Sequence, residues 1–376
     1  MKPSKPATRS AKPLKVAIVH DWLIGGGAEL VVEQLHVMFP NAPIYTSYAT
    51  KEWRKRLDNK VVTGWLQYFG PMRKFLPFAR IWWFTRLKLR DYDLVISSSG
   101  AEAKGIRVPK KTLHINYCHA PTHYYWSRYD EYMRHPGFGL FNPLARFGLW
   151  LLVKPLRRWD YKAAQRPDYI IANSTHIQHE IQKYYGRESS VVFPPVHVAR
   201  FQKKPSKKKQ NDFLIAGRQV PYKRFDLAVV AATKLGLSLT VIGDGPDHAR
   251  LRHLAGKSVT FLGRVTDEVL ADEFSSTGCL VFPGREDFGI SAVEAMAAGI
   301  PVLAYRGGGA LDFIKPGVTG DFFDEQTAKS LARAMRSFNS AKYSSAAIQA
   351  YAQKFSAEKF RTSMKQHILR DLTKHR

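Results

Sequence analysis

The chain has 376 residues, 45% of them hydrophobic, and carries 58 Lys plus Arg against 31 Asp plus Glu, a formal charge of +27. That length exceeds one ordinary hydrophobic core and suits two domains of roughly 150 to 200 residues each. The charge points to phosphate-bearing partners, whether nucleotides, nucleic acids or anionic lipid surfaces, and no apolar run reaches the ~18 residues that a membrane span needs.

Residues 1–13 form a basic tail, read as solvated, without the apolar core of a signal peptide, so no secretion is expected. From residue 14 short β-rich runs alternate with helical periodicity, the pattern of parallel sheets covered by helices. KVAIVHDW (15–22) reads as a buried strand and GGGA (25–28) as a loop; AELVVEQLHVMF then reads as a helix with Val31, Leu35 and Met38 on one face. DLVISSS (93–99), TLHINYCHA (112–120) and DYIIANS (168–174) are further strands ending in small or polar residues, where open α/β sheets place ligands. Cys118 and Cys279 lie far apart without a C-x-x-C spacing and read as reduced core thiols of a cytoplasmic protein.

The pattern restarts at DFLIAGR (212–218), past Pro194-Pro195 and a solvated Lys-rich run, KKPSKKKQN (203–211). SLTVIGDG (238–245), VTFLGRV (259–265), CLVFPG (279–284) and PVLAYRGGG (301–309) continue it with helical patterns between them. The segment FSAEKFRTSMKQHILRDL (355–372) is helical and folds back on the first domain. The sequence therefore predicts an α/β chain of two doubly wound, Rossmann-like domains facing each other across a cleft, over 14–197 and 198–354, with a returning C-terminal helix over 355–376.

Chemistry concentrates at two strand ends. In GREDFGISAVEAMAAGIPV (284–302) a strand turns into a helix expected to start near Ser291. Free N–H groups there suit an anionic diphosphate, while Glu286 and Glu294 can accept hydrogen bonds from hydroxyls on either side of it. A molecule with hydroxyls flanking a diphosphate is a nucleotide sugar. The plainer alternative keeps Glu294 as a partner of the helix dipole and Glu286 as a solvated acid. In GRQVPYKRFD (217–226) Arg218 leaves a strand and Lys223 follows close to a helix start, so both cations can converge on one phosphate and neutralise a departing diphosphate; the alternative is solvated surface charge. The loop at Gly25, Gly26 and Gly27 lets backbone approach a phosphate, and Gly307 to Gly309 repeats that position with a turn role equally open.

Other signals are set aside. Asp91-Tyr92-Asp93 has the D-x-D form that binds metal in some sugar transferases, but it precedes a strand and fits a start-of-strand role. Cys118, His119 and His123 lack a fourth ligand and the spacing of a zinc site. His119 stands at a strand end facing the cleft, where it either touches a sugar or acceptor or is an ordinary hydrogen-bonded histidine.

The motifs GRQVPYKRFDLAV, IGDGPDHARL, FLGRVTDEVL and PGREDFGISAVEAMAAGIPV, in this order, resemble a retaining glycosyltransferase of family 4, which has the two-domain GT-B fold. HDWLIGGGAE, DYDLVISSSGAEAKGI, INYCHAPTHYYW and IANSTHIQHEIQKYYGRESSVVFPPV are similar to the O-antigen type of mannosyltransferase, whose members use GDP-mannose. The resemblance implies an acceptor domain followed by a nucleotide-sugar donor domain, in cell-surface polysaccharide synthesis. It gives Arg218 and Lys223 the donor diphosphate, Glu294 the ribose hydroxyls, and Glu286 the transferred sugar beside the backbone of Phe288, Gly289 and Ile290. Gly26 and Gly27 approach the distal phosphate from the other domain, and His119 lies near the sugar. It further implies retention by front-face displacement, with no metal and no cofactor. Similar proteins often have a histidine where this chain has Gly100. Two readings stand beside it: a relative using another nucleotide sugar, such as a UDP-sugar, and a non-catalytic sugar- or nucleic-acid-binding protein.

Two stretches, 68–88 and 138–159, mix Trp, Phe and Leu with Arg and Lys. They predict a peripheral site on the inner face of the cell membrane, where the acceptor is a glycan or lipid-linked glycan. The alternative makes Trp82, Trp83, Trp150 and Leu151 core residues.

Overall fold

The computed structural model describes residues 13–134, 136, 139–202 and 212–375; the basic tail 1–12 and the Lys-rich run 203–211 lie outside the described residues. Seven parallel strands form the first sheet, in the order β3-β2-β1-β4-β5-β6-β7. They are β1 (Val16–His20), β2 (Ile44–Thr46), β3 (Val61–Thr63), β4 (Leu94–Ser99), β5 (Leu113–Cys118), β6 (Tyr169–Ala172) and β7 (Ser190–Val191). The second sheet has six, in the order β10-β9-β8-β11-β12-β13: β8 (Phe213–Ala216), β9 (Leu239–Ile242), β10 (Val259–Gly263), β11 (Cys279–Phe282), β12 (Val302–Tyr305) and β13 (Gly320–Phe323). Every residue of β1, β4, β5 and β11 is buried, because helices cover both faces of a parallel sheet. Register aligns the apolar positions, as in Ile18 with Ile44 and Ile96, and Leu280 with Val302.

Short strands such as β2, β3 and β7 carry too few residues to show a period, which is why the sequence pattern does not mark them. In each sheet the chain steps outward from the first strand, then returns to the opposite side. The reversal falls between β1 and β4 in the first sheet and between β8 and β11 in the second. Loops at a reversal diverge to opposite faces and leave a crevice outside the strands' carboxyl ends, which is where such sheets bind ligands.

The C-terminal helix Ala357–His375 buries Phe360, Met364 and Ile368 in the same core as Val16, Ile18 and Tyr117 of the first sheet. Beside that crossing, Val196 donates its N–H to the carbonyl of Phe355 at 2.9 Å.

Buried charges shape the first crevice. Asp21 follows β1 and accepts from Ser99 Oγ and from the backbone N–H groups of Gly100, Ala101 and Ala103 at 2.8–3.1 Å, which ties the loop after β4 to the loop after β1. Lys104 pairs with Asp160 at 2.7 Å, both fully enclosed, and Trp126 and Tyr185 also donate to Asp160. A buried ion pair is tolerated when its remaining valences are met in this way.

The two aromatic-basic stretches differ in form. The first is a 3-10 stretch, Trp65–Phe75, broken at Gly70, followed by the helix Pro77–Thr85. The second is mostly one helix, Asn142–Ala164. Trp83 is core, whereas Trp82, Trp150 and Leu151 are exposed.

Candidate functional site

The loops after β8 and β11 meet at the second sheet's reversal. Lys223 Nζ donates to Glu286 Oε2 at 2.9 Å, with each side chain about one-seventh exposed. Gly284 makes this approach possible: a Cβ there would stand 2.9 Å from Lys223 Cα and 3.1 Å from the carbonyl oxygens of Lys223 and Tyr222. Burial lowers the Lys223 pKa, but the adjacent Glu286 carboxylate outweighs it and leaves it raised, so the ammonium keeps its charge. The Glu286 carbonyl accepts from Gly309 N–H at 2.8 Å, which anchors the loop from the glycine turn after β12.

The helix Ile290–Ala297 begins directly after this loop, one residue before the expected start. The N–H groups of Ala292 and Val293 bond back to the Gly289 carbonyl at 3.1 and 3.3 Å, so in its first turn those of Ile290 and Ser291 are the ones helix geometry leaves for an anion. Phe288 points its ring into the core, against Phe313 and Phe355, so only its backbone is available there. Glu294 lies one turn into the helix. Burial raises its pKa to about 7, against the opposing pull of Arg200, His197 and Lys223. A carboxyl in that state is poised to accept hydroxyl hydrogen bonds, which favour its charged form. Arg218 is exposed and forms no side-chain hydrogen bond or ion pair among the described residues.

The first domain supplies the opposite wall. Gly26 and Gly27 are exposed and lead into the helix Gly27–Met38. A Cβ on Gly27 would come within 2.5 Å of Ile290 Cδ1, so the two ligand loops touch across the cleft. Glu29, one turn along, accepts from the N–H groups of Ile24 and Gly25 at 3.2 and 3.0 Å and holds the loop open. His119, after β5, shares a 2.8 Å hydrogen bond with Ser98 Oγ and packs edge-on against His20. Burial, reinforced by His20, lowers its pKa to about 3, so it is a neutral imidazole. Gly100 borders it: an added Cβ would be 3.7 Å from His119 Cβ, an ordinary contact.

Sequence reasoning missed the groups that join the domains. Asp287 accepts from His123 Nε2 at 2.8 Å and Arg128 at 3.1 Å, and the Arg128 guanidinium lies 3.9 Å from the ring centroid of Tyr222. Those charges hold Asp287 well below the usual carboxylate range despite its burial. Thr175 donates to Asp312 through both N–H and Oγ1, at 2.9 and 2.5 Å. Partners separated by 137 to 164 positions leave no local signal. Asp93 accepts from Lys15 N–H at 2.9 Å, holding adjoining strand starts together. Among the described residues no group of three or more His, Cys, Asp or Glu is placed to hold a metal ion.

The profile of Glycosyltransferase Family 4 matches residues 25–200, and that of Glycosyl transferases group 1 matches 199–355. A GDP-mannose-dependent alpha-mannosyltransferase of Mycolicibacterium smegmatis is 36% identical over 109 residues, 29% of each chain. A D-inositol 3-phosphate glycosyltransferase of Streptomyces avermitilis is 31% identical over 205 residues, 46% of this chain and 44% of its own length. The chain thus spans less than half the length of these curated relatives. Among solved structures, Anabaena HepE in complex with UDP and glucose superposes with a TM-score of 0.66 at 17% identity, over 95% of this chain and 99% of that one. Sucrose-phosphate synthase of Thermosynechococcus elongatus gives 0.67 at 16%, over 97% and 100%. Two facing Rossmann-like sheets and these neighbours together show the GT-B fold.

Proposed function

From the premise that this chain belongs to the family 4 glycosyltransferases, whose two domain profiles together match residues 25–355, we propose that it transfers a hexose with retention, and that the donor is GDP-mannose. The observation that carries the reading is the Lys223–Glu286 pair at the second sheet's reversal, on the loop that runs into Ile290, where Gly27 of the first domain comes close. Without a donor the two charges satisfy each other. With one bound, Lys223 and Arg218 take the diphosphate, and Glu286 is released to the sugar hydroxyls beside the backbone of Phe288, Gly289 and Ile290. Glu294 takes the ribose. Gly26 and Gly27 bring backbone to the distal phosphate, and neutral His119 donates or accepts a hydrogen bond at the sugar.

Charge on the diphosphate grows as the sugar bond breaks, so fixed cations stabilise the transition state more than the ground state. Retention then follows a front-face path in which the departing diphosphate helps remove the acceptor proton. Asp287 is already bonded to the first domain, so the loop that positions Glu286 answers to domain closure, which also excludes competing water. Mannose and guanine are supported by the mannosyltransferase relative and by the sequence resemblance. The acceptor is a glycan or lipid-linked glycan, and the exposed aromatic-basic helix supports attachment to the inner membrane face.

The test is incubation of purified protein with a panel of GDP- and UDP-sugars, following nucleoside diphosphate release with and without chelator. Release from GDP-mannose that chelator leaves intact is expected. Preference for a UDP-sugar overturns the donor assignment, and a strict divalent-ion requirement overturns the metal-free mechanism. Release from no member of the panel returns the chain to the sugar-binding reading.

A further inference from the structure

Between the domains lies a cavity of about 710 Å³ that the donor residues do not line. Glu286 turns to Lys223, whereas Arg285 and Asp287 face the cavity; Tyr222 and Arg224 face it too, on either side of Lys223. The first domain supplies His123, Arg128, His176 and Glu180.

Two properties of this lining define its ligand. First, most of its side chains are polar, Pro221 and the Tyr222 ring apart, with five arginines against six carboxylates, several of them already paired with one another, as in Arg250 with Asp247 and Arg224 with Asp226. Balanced charge of this kind does not select a phosphate, and it repels a hydrocarbon chain. It alternates donors and acceptors, which suits hydroxyl groups, since each can donate and accept. Second, one acceptor is left over. Glu180 is 9% exposed, and while its Oε1 stands 3.7 Å from His176 Nε2, its Oε2 is buried with no hydrogen-bond partner among the described residues. An unsatisfied buried carboxylate oxygen is costly unless something donates to it. Burial raises the Glu180 pKa and lowers that of His176 to about 4, so the imidazole is neutral. Arg285, exposed and close enough to influence both, faces them from the second domain.

We propose that this cavity is the acceptor subsite and takes the terminal sugars of a neutral glycan, with Glu180 accepting from a sugar hydroxyl and Arg285 donating to another. The proposal rests on the transferase reading and adds where the acceptor sits and that its terminal sugars are neutral. The position agrees with delivery, because the cavity and the donor residues share the loop 285–287. One rim residue, Arg134, also accepts through its carbonyl from Arg146 at 2.8 Å, at the start of the exposed aromatic helix. A glycan carried on a lipid therefore enters the cavity with its carrier on the side of that helix.

The experiment is saturation-transfer NMR on the full chain in the presence of GDP, using neutral manno- and gluco-configured di- and trisaccharides and a sugar-free polyprenyl phosphate as probes. Ring protons of a saccharide are expected to receive saturation. Glu180→Ala and Arg285→Ala are each expected to weaken that saccharide by roughly tenfold while GDP affinity, titrated separately, stays unchanged. Saccharide binding undiminished in both variants overturns the assignment. So does a panel on which only the polyprenyl phosphate binds, and so does a panel on which nothing binds while GDP does. Failure of the wild-type chain to bind any nucleoside diphosphate defeats the underlying transferase reading instead, and it is read in the separate titration.

Discussion

In the proposed function, the contact between Lys223 and Glu286 serves both an empty and an occupied donor site. Each is largely enclosed, and their 2.9 Å pair spares both an uncompensated charge. On the proposed mechanism, removing the lysine costs more than a pair, because the transition state would lose a cation that stabilises its leaving group. Lys223→Ala and Arg218→Ala are each expected to cut turnover by about 10²; near wild-type rates in both, measured by nucleoside diphosphate release, would discard the site. Glu294 gives a prediction in pH. Its folded-state pKa of about 7 lies above the ordinary 4.5, so its charged form is penalised in the empty site and the group subtracts stability as pH rises through that window. Donor hydroxyls favour the carboxylate, so binding below pH 7 must release a proton and affinity falls as pH drops. Glu294→Gln should bind donor more weakly and lose that dependence. Calorimetric titrations between roughly pH 5 and 8 decide it, and a flat wild-type profile would remove Glu294 from the ribose.

At the scale of elements, the strand-to-loop junctions set how closely ligand groups approach. Gly284, two residues past β11, lies against the backbone of Lys223, with no room for a methyl group. A clash with backbone is harder to relieve than one with a side-chain tip, so Gly284→Ala should displace Lys223 and cost about 1–3 kcal/mol of stability. Turnover should fall further than the loss of stability explains, which thermal melting alongside rate measurements will show. By contrast, Gly27 faces the flexible end of Ile290, so Gly27→Ala should melt near wild type. Most of these elements were legible beforehand. The strands KVAIVH, DLVISSS and CLVF read as β because continuous apolar runs bounded by small residues match strands buried on both faces. The strands β2, β3 and β7 were not, since two or three residues carry no period. The stretch 68–88 also escaped, because Gly70 at φ 48° breaks what composition reads as one amphipathic segment.

Over the whole molecule, the helix Asn142–Ala164 changes character along its length. Its later turns bury Val153, Leu156 and Asp160, while Leu144, Phe147 and Trp150 in the earlier turns are 69%, 59% and 60% exposed. The helix Pro77–Thr85 adds Phe78 and Trp82, the latter under the Arg86 guanidinium at 4.7 Å. Apolar anchors beside cations fit a lipid interface, where each Lys or Arg near an anionic leaflet contributes about 1 kcal/mol. In flotation assays the protein should rise with anionic vesicles at low salt and be released at high salt. The triple variant Leu144→Ser, Phe147→Ser, Trp150→Ser should remain at the bottom. Wild-type protein that ignores anionic vesicles at low salt would end the membrane reading and point to a free glycan acceptor.

The sequence by itself determined the two-domain α/β class, through hydrophobic runs that restart after the Lys-rich segment. It also marked Arg218, Lys223 and Glu286 as site candidates, because they fall near strand ends whatever the strand order. Only the tertiary structure decided that β8 neighbours β11, and β1 neighbours β4, so that these ends open at reversals of the sheet. It alone joined Asp287 to His123 and Arg128, set Asp21 under the loop after β4, and enclosed Glu180 beside an interdomain cavity. The reason is range. Periodicity, capping and turn chemistry act within about ten residues and are written locally, whereas pairing across a cleft depends on how two folded domains lie against each other, which no local pattern encodes.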